Sequence, residues 1–158
     1  MQAIGHNAIQ TLREPVMSTL QWADVLANPY LKDLPFKIEL NRWGRIEMSP
    51  ASNQHGLLQT DLAAELRKRR GGRVITECSV QTSDGVRVAD VAWVSNARLK
   101  AMGIVTPFPQ APEICVEIMS PSASWAEMHV KAGLYLQAGA QQVWVVPIVG
   151  ERRIITAE

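Results

Sequence analysis

The first clear alternation of apolar and polar positions is FKIEL, residues 36–40, where Phe36, Ile38 and Leu40 point one way and Lys37 and Glu39 the other. NRWG then reads as a turn. RIEM, residues 45–48, returns with the same period of two, which predicts a β-hairpin. Upstream, Ser18-Thr19-Leu20-Gln21 has the S-x-x-Q form of a capping box, with Trp22, Val25 and Leu26 following at helical spacing. That short helix should end before Pro29. Residues 1–16 keep no period and read as a loose leader ahead of a single domain over 17–158; Met17 is a second candidate start.

After Pro50 and Ser52, the stripe Leu58, Leu62, Leu66 predicts a helix over residues 53–70. It ends in RKRRGG, where basic residues complement the helix dipole and Gly71 can take the left-handed cap. RVITECSVQ (73–81) and VRVADVAWVS (86–95) flank Ser83-Asp84-Gly85 and read as two antiparallel strands. A short helix capped by Ser95 and a proline-rich loop lead to the apolar run ICVEIM, 114–119. Ser124 and Glu127 form a second capping box, opening a helix to about Ala138 with Gly139 as its stop. VWVVPI is the next strand, and RRIITA pairs back on it through Gly150. The sum is one α/β (α+β) domain, a mixed β-sheet flanked by helices, with an N-terminal helix and hairpin.

Composition changes this picture little. The 158 residues are 47% hydrophobic and 20% charged with net charge +1, so no global field favours nucleic acid or a lipid surface, and an anionic partner needs a local patch. No apolar run suggests a membrane span, and the N-terminus lacks the basic start and apolar core of a secretory signal. Cys78 and Cys115 sit in strand-like runs without C-x-x-C spacing, the usage of reduced, buried thiols in a cytoplasmic protein. Nucleotide-binding glycine loops and a G-x-S-x-G elbow are absent.

Three charged residues break the apolar pattern. Glu117 stands inside ICVEIM, where an unpaired carboxylate would cost several kcal/mol. Asp90 shares a strand face with Val86, Val88, Ala92 and Val94. On adjacent strands the two carboxylates would repel unless a proton or a cation lies between them, and a divalent ion with hard oxygen ligands would serve both. The alternative is two unrelated carboxylates reaching solvent at strand ends. Lys131 falls on the core stripe Met128, Lys131, Tyr135, Ala138, either snorkelling to the edge or reaching the strand that carries Glu117. Lys68, Arg69 and Arg70 either touch phosphates or simply close their helix. His6 and His129 have no spacing that suggests zinc.

The fragments IELNRWGRIEMSPASNQHG, RVADVAWVS, VEIMSPS and K-x-x-x-Y-x-x-A-G-A-x-x-V-W-V resemble, in order, the motifs of the Uma-two family of restriction-type endonucleases. That family is assigned to the PD-(D/E)XK nuclease superfamily, and the likeness runs from about Thr19 to Val146. It implies a restriction-endonuclease-like core, with Asp90 and Glu117 as the acidic pair that holds Mg²⁺ or Mn²⁺ and the carbonyl of Ile118 as a further ligand. The superfamily lysine two residues on would be position 119, here Met119; Lys131 then takes its place from the following helix. Glu39 matches the acidic residue of the family's hairpin, in position for a second ion or the attacking water, and His55 matches the histidine opening the next helix. Ala89 replaces the proline of the PD motif, and Pro147 stands where the family has Asp. Two readings follow: a bacterial, cytoplasmic, metal-dependent endonuclease of DNA, dimeric if it cuts both strands, or a catalytically degenerate member of the fold serving as a nucleic-acid-binding or assembly module.

Overall fold

The computed structural model describes residues 19–157. Their elements run Trp22–Ala27 (α1), Phe36–Leu40 (β1), Ile46–Pro50 (β2), Asn53–Arg67 (α2), Gly72–Thr82 (β3), Gly85–Ser95 (β4), Asn96–Met102 (α3), Ile114–Met119 (β5), Trp125–Gln137 (α4), Gln142–Pro147 (β6) and Arg153–Thr156 (β7). The leader 1–16 and the expected cap Ser18 lie outside the described residues. The first helix is capped by Gln21 instead, whose N–H donates to Asp24 Oδ2 at 2.8 Å.

β1 and β2 pair antiparallel, closed by a turn in which Asn41 Oδ1 accepts the N–H groups of Trp43 (3.1 Å) and Arg45 (3.0 Å). β2 extends two residues past the expected 48, to Pro50, which an edge strand tolerates because no ladder donor is required there. The sheet order is β2-β1-β4-β5-β6-β7, with β3 paired along β4. β5 and β6 are parallel and α4 crosses between them; the other pairs are antiparallel, so the sheet is mixed as expected. The two longest strands are joined by Ser83-Asp84 alone, with Thr82 opposite Gly85. Gly85 has φ +77, and a Cβ there would lie 2.1 Å from the Leu40 carbonyl oxygen, so only glycine lets β1 approach.

Helices cover both faces. On one, Leu62 and Leu66 of α2 pack with Val91, Ile114, Val116, Ile118 and Trp144. On the other, Ala132 and Tyr135 of α4 pack with Cys78, Val80, Ala92, Cys115 and Val143. β5 is therefore covered on both sides, which explains a hydrophobic run that Glu117 alone interrupts. α2 stops at Arg67, three residues earlier than expected, and Gly71 holds the left-handed conformation at φ +81. No helix among the described residues is long and apolar enough to cross a membrane.

Candidate active site

Along one edge β4 changes partner. Val86 pairs with Leu40 of β1, whereas Val91, Ala92 and Trp93 pair with β5. Buried N–H groups in the gap must find acceptors, and side-chain carboxylates supply them. Val88 N–H donates to Glu39 Oε1 at 2.8 Å, and Ile118 N–H donates to Asp90 Oδ2 at 2.7 Å. Two acidic residues are thus built in where β1 and β5 diverge.

The strand phase also slips at this point. Ala89 and Ala92 both pack in the α4 layer, yet Val91 between them packs in the α2 layer. Glu77, on β3 between the pairs Thr76–Val91 and Cys78–Ala89, has φ +51, a conformation uncommon for a side chain other than glycine. Gln59 of α2 donates through Nε2 to the Asp90 carbonyl (2.8 Å) and to Glu77 Oε1 (2.7 Å). The single face expected for Val86, Val88, Asp90, Ala92 and Val94 is therefore broken at Asp90, because the slip reorients the strand there.

Asp90 and Glu117 converge on one cation, the ammonium of Lys37. Its Nζ stands 2.9 Å from Asp90 Oδ1 and 3.1 Å from Glu117 Oε2. Lys131 Nζ lies 3.2 Å from Glu117 Oε1 and 2.9 Å from Glu39 Oε1. Tyr135 Oη donates to the same Glu117 Oε1 at 2.7 Å. The side chains of Asp90 and Glu117 are 1% and 4% exposed, so these contacts act where water screens little.

Burial disfavours every charge here, and the neighbours decide the outcome. For Asp90 burial is overcome by the His55 hydrogen bond, by Lys37 and by the Ile118 N–H, which hold its carboxyl well below the usual range. Burial also opposes ionisation of Glu39, but Lys131, Lys37 and the Val88 N–H keep its carboxyl low. Glu117 goes the other way: burial pushes it up against the pull of Lys131 and Lys37, with Asp90 and Glu39 adding to the rise. Burial alone would lower Lys37, yet Glu117 and Asp90 raise it above the ordinary lysine value.

His55 sits in the first turn of α2, its backbone N–H donating to the cap Ser52 Oγ at 3.1 Å. Its Nε2 is 3.3 Å from Asp90 Oδ1, and that hydrogen bond raises its pKa against partial burial. Lys37, His55, Gln59, Asp90, Glu117, Ile118 and Lys131 all line one open groove of about 1290 Å³. Glu39 does not line it; it is 6% exposed and stands behind Lys131. Met128 is half-buried, whereas its stripe neighbour Tyr135 is fully enclosed. Lys68, Arg69 and Arg70 follow the opposite end of α2, about 22 Å from its first turn at 1.5 Å per residue, and take no part in the groove. Arg69 covers the Trp93 ring instead, at 5.3 Å. Met119 pairs with Pro147 and lines a neighbouring cleft with Trp125 and Arg153.

Sequence reasoning missed Lys37 and the hydroxyl of Tyr135. Lys37 shares its strand face with Glu39, so once the sheet order is known any site that takes one is offered the other. Among the described residues no three His, Cys, Asp or Glu side chains gather as a metal cluster. The donor set nevertheless suits a hard cation, since two carboxylates already enclose a positive charge. Ile118 presents its N–H to the β4 edge, and an extended residue turns its carbonyl to the same edge.

A family model, Uma2, described as "Putative restriction endonuclease", matches residues 23–154. Among solved structures the chain is similar to a "putative nuclease belonging to DUF820" from Anabaena variabilis ATCC 29413, at 19% identity over 76% of each chain with a TM-score of 0.59, a likeness of fold. No curated protein matches the chain.

Proposed function

Because this chain belongs to the Uma2 family of restriction-type endonucleases, we propose that it is a metal-dependent endonuclease hydrolysing phosphodiester bonds of DNA. The observation that carries this reading is the convergence of Asp90 and Glu117 on one cation at the floor of an open groove. These two carboxylates, with the Ile118 carbonyl, would hold Mg²⁺ or Mn²⁺. Such an ion supplies Lewis acidity and a low-pKa water, the chemistry that the large barrier of phosphodiester hydrolysis calls for.

The protein's own groups do the rest. Lys131 offers a point charge and hydrogen bonds to the phosphate oxygens as negative charge builds on them. Glu39 and Tyr135 are positioning residues: Glu39 holds the Lys131 ammonium at the groove wall, and Tyr135 fixes the Glu117 rotamer. His55 is a positioning residue that orients the Asp90 carboxylate through its Nε2, and the N-terminal dipole of α2 favours a phosphate entering beside it. In the reaction a water oxygen bonds to phosphorus, the bond to the leaving oxygen breaks, and that oxygen takes up a proton. A two-fold dimer would set two grooves against the two strands. The proposed setting is the bacterial cytoplasm, in which the thiols stay reduced; burial pushes Cys78 up to about 12 and Cys115 well above the usual thiol value, so neither is reactive.

The test is cleavage of supercoiled plasmid and of single-stranded circles with Mg²⁺, Mn²⁺ or EDTA. Metal-dependent nicking that is lost in Asp90→Asn and Glu117→Gln supports the enzyme. A chain that binds duplex DNA equally with and without metal, and cuts none, supports the second reading of a nucleic-acid-binding module. That reading draws on Met119 and on the pairing of the carboxylates by lysines from the chain itself.

A further inference from the structure

We propose that Lys37 is a resident counter-ion which occupies the metal position and, once displaced, becomes the groove's contact for the incoming phosphate. This rests on the reading of the groove as a metal-dependent phosphodiesterase site.

The four oxygens of the acidic pair are not equally engaged. Asp90 Oδ2 is tied to the Ile118 N–H, and Glu117 Oε1 is shared by Lys131 and Tyr135. The remaining two, Asp90 Oδ1 and Glu117 Oε2, are those that meet Lys37 Nζ, Asp90 Oδ1 also lying 3.3 Å from His55 Nε2. A divalent ion held by the two carboxylates would need oxygens not already tied to the chain, so Lys37 and the ion would compete for them. Three carboxylates, Glu39, Asp90 and Glu117, already face two ammoniums, with Arg87 3.6 Å from Glu39 Oε2. The cluster is thus close to neutral without metal, and adding a dication while both lysines stay would leave it overcharged in a poorly screened site.

The two lysines differ in how easily they can leave. Lys131 extends from α4, beside the fully buried Tyr135, and its ammonium is held by Glu39 and Glu117 in the groove wall. Lys37 stands on β1, whose register with β4 is the single pair Leu40–Val86. Its flexible four-carbon stem lines the open groove beside the half-exposed Phe36, with a side-chain exposure of 13% against 17% for Lys131, so the difference lies in the element that carries it and not in burial. Lys37 can yield its two oxygens and swing along the open groove with little rearrangement. There its charge is available to a phosphate, so metal and substrate each favour the state that the other needs.

The experiment is calorimetric titration of Mg²⁺ alone and of Ca²⁺ alone into the native protein, Lys37→Met, Lys37→Gln and Lys131→Met, with circular dichroism to confirm folding. Cleavage is assayed in parallel. The expected result is tighter metal binding by about tenfold or more in both Lys37 variants, the scale of one close charge pair, with a smaller change in Lys131→Met and loss of cleavage in all three. Native protein that binds metal and cleaves, with Lys37 variants that bind metal equally or more weakly, overturns this inference and leaves the proposed function standing. Equal tightening in Lys37→Met and Lys131→Met also overturns it, since the effect would then be one of overall charge. Failure of native protein and variants alike to bind metal or cut DNA overturns both.

Discussion

β5 carries a buried carboxylate at each end, and the two ends behave differently. Glu113, just before the strand, accepts the Ser95 N–H at 2.9 Å and faces Arg98 Nε at 3.4 Å. Arg98 in turn donates to the carbonyls of Ala111 (2.7 Å) and Gly139 (2.9 Å), tying a loop and a helix end to the sheet. Its planar fork has several fixed partners and does not line the groove that Glu117 faces. Glu117, at the far end, meets two lysines and a tyrosine and opens on a large groove. Both carboxylates are nearly inaccessible, at 8% and 3%. Burial of a charge alone therefore does not distinguish a brace from a site. The distinguishing features are mobile point charges in place of a forked guanidinium, and space for a ligand.

The contrast should be widest in paired substitutions at the two carboxylates. Asp90→Asn or Glu117→Gln is expected to lower plasmid nicking by about a thousandfold, whereas Glu113→Gln should leave nicking intact and lower stability instead. Nicking rates and urea denaturation of the same samples separate the two outcomes. The contrast fails if Glu113→Gln, still folded, also stops cutting.

Exchange of the cations should mirror this. Arg98→Met leaves Glu113 and two carbonyls without their donor and is expected to cost about 3 kcal/mol, read as a lower urea midpoint with unchanged cleavage. Lys131→Met packs beside Tyr135 and should cost less stability, yet cleavage should fall by about a hundredfold. Metal affinity in Lys131→Met, measured by titration, should stay near that of the native protein.

A subtler difference lies in the sign of the pH dependence. Glu113 is held below the ordinary value of 4.5, against burial, by its Ser95 hydrogen bonds and by Arg98, so its stabilising contribution is present above 4.5 and lost as pH falls through the lowered value. Glu117 is pushed above 4.5 by burial, so its contribution is complete below 4.5 and diminishes as pH rises through the raised value. Melting temperatures in metal-free buffer should show Glu113→Gln approaching the native protein on acidification below 4.5. Glu117→Gln should gain on the native protein as pH rises above it. Parallel curves for the two variants would contradict the opposite electrostatics of the two ends.

The smallest effect is expected at Lys68, Arg69 and Arg70. The three alanine variants should cleave at the native rate, because these residues flank the other end of α2 from His55. A marked rise in the DNA concentration needed for half-maximal cleavage would place them on the substrate path after all.

Local periodicity and capping determined most of the elements without any tertiary information. Alternation in FKIEL, the Leu58–Leu62–Leu66 stripe and the Ser124–Glu127 box depend on residues close in sequence, and each reappears, the strand with the expected bounds and the two helices shorter at their C-terminal ends. Asp90, Glu117 and Lys131 were legible for a related reason: each is a charge at a position whose periodic neighbours are apolar, an expense that local pattern makes visible. Lys37 was not, because the polar face of a hairpin reads as solvent until another strand is known to turn a carboxylate toward it. The slip at Asp90 was equally hidden, since a period of two carries no mark of the place where Glu77 across the ladder adopts φ +51 and the faces exchange. Tyr135 read as core, correctly, while the partner of its hydroxyl lies 18 residues away on β5. The basic run at Lys68 to Arg70 has the composition of a phosphate site, and only the length and direction of α2 remove it from the groove. Sequence specifies what each segment buries, because that depends on neighbours within a turn or a pleat. Which charges meet depends on the partner switch of β4 from β1 to β5, a contact between segments far apart in the chain.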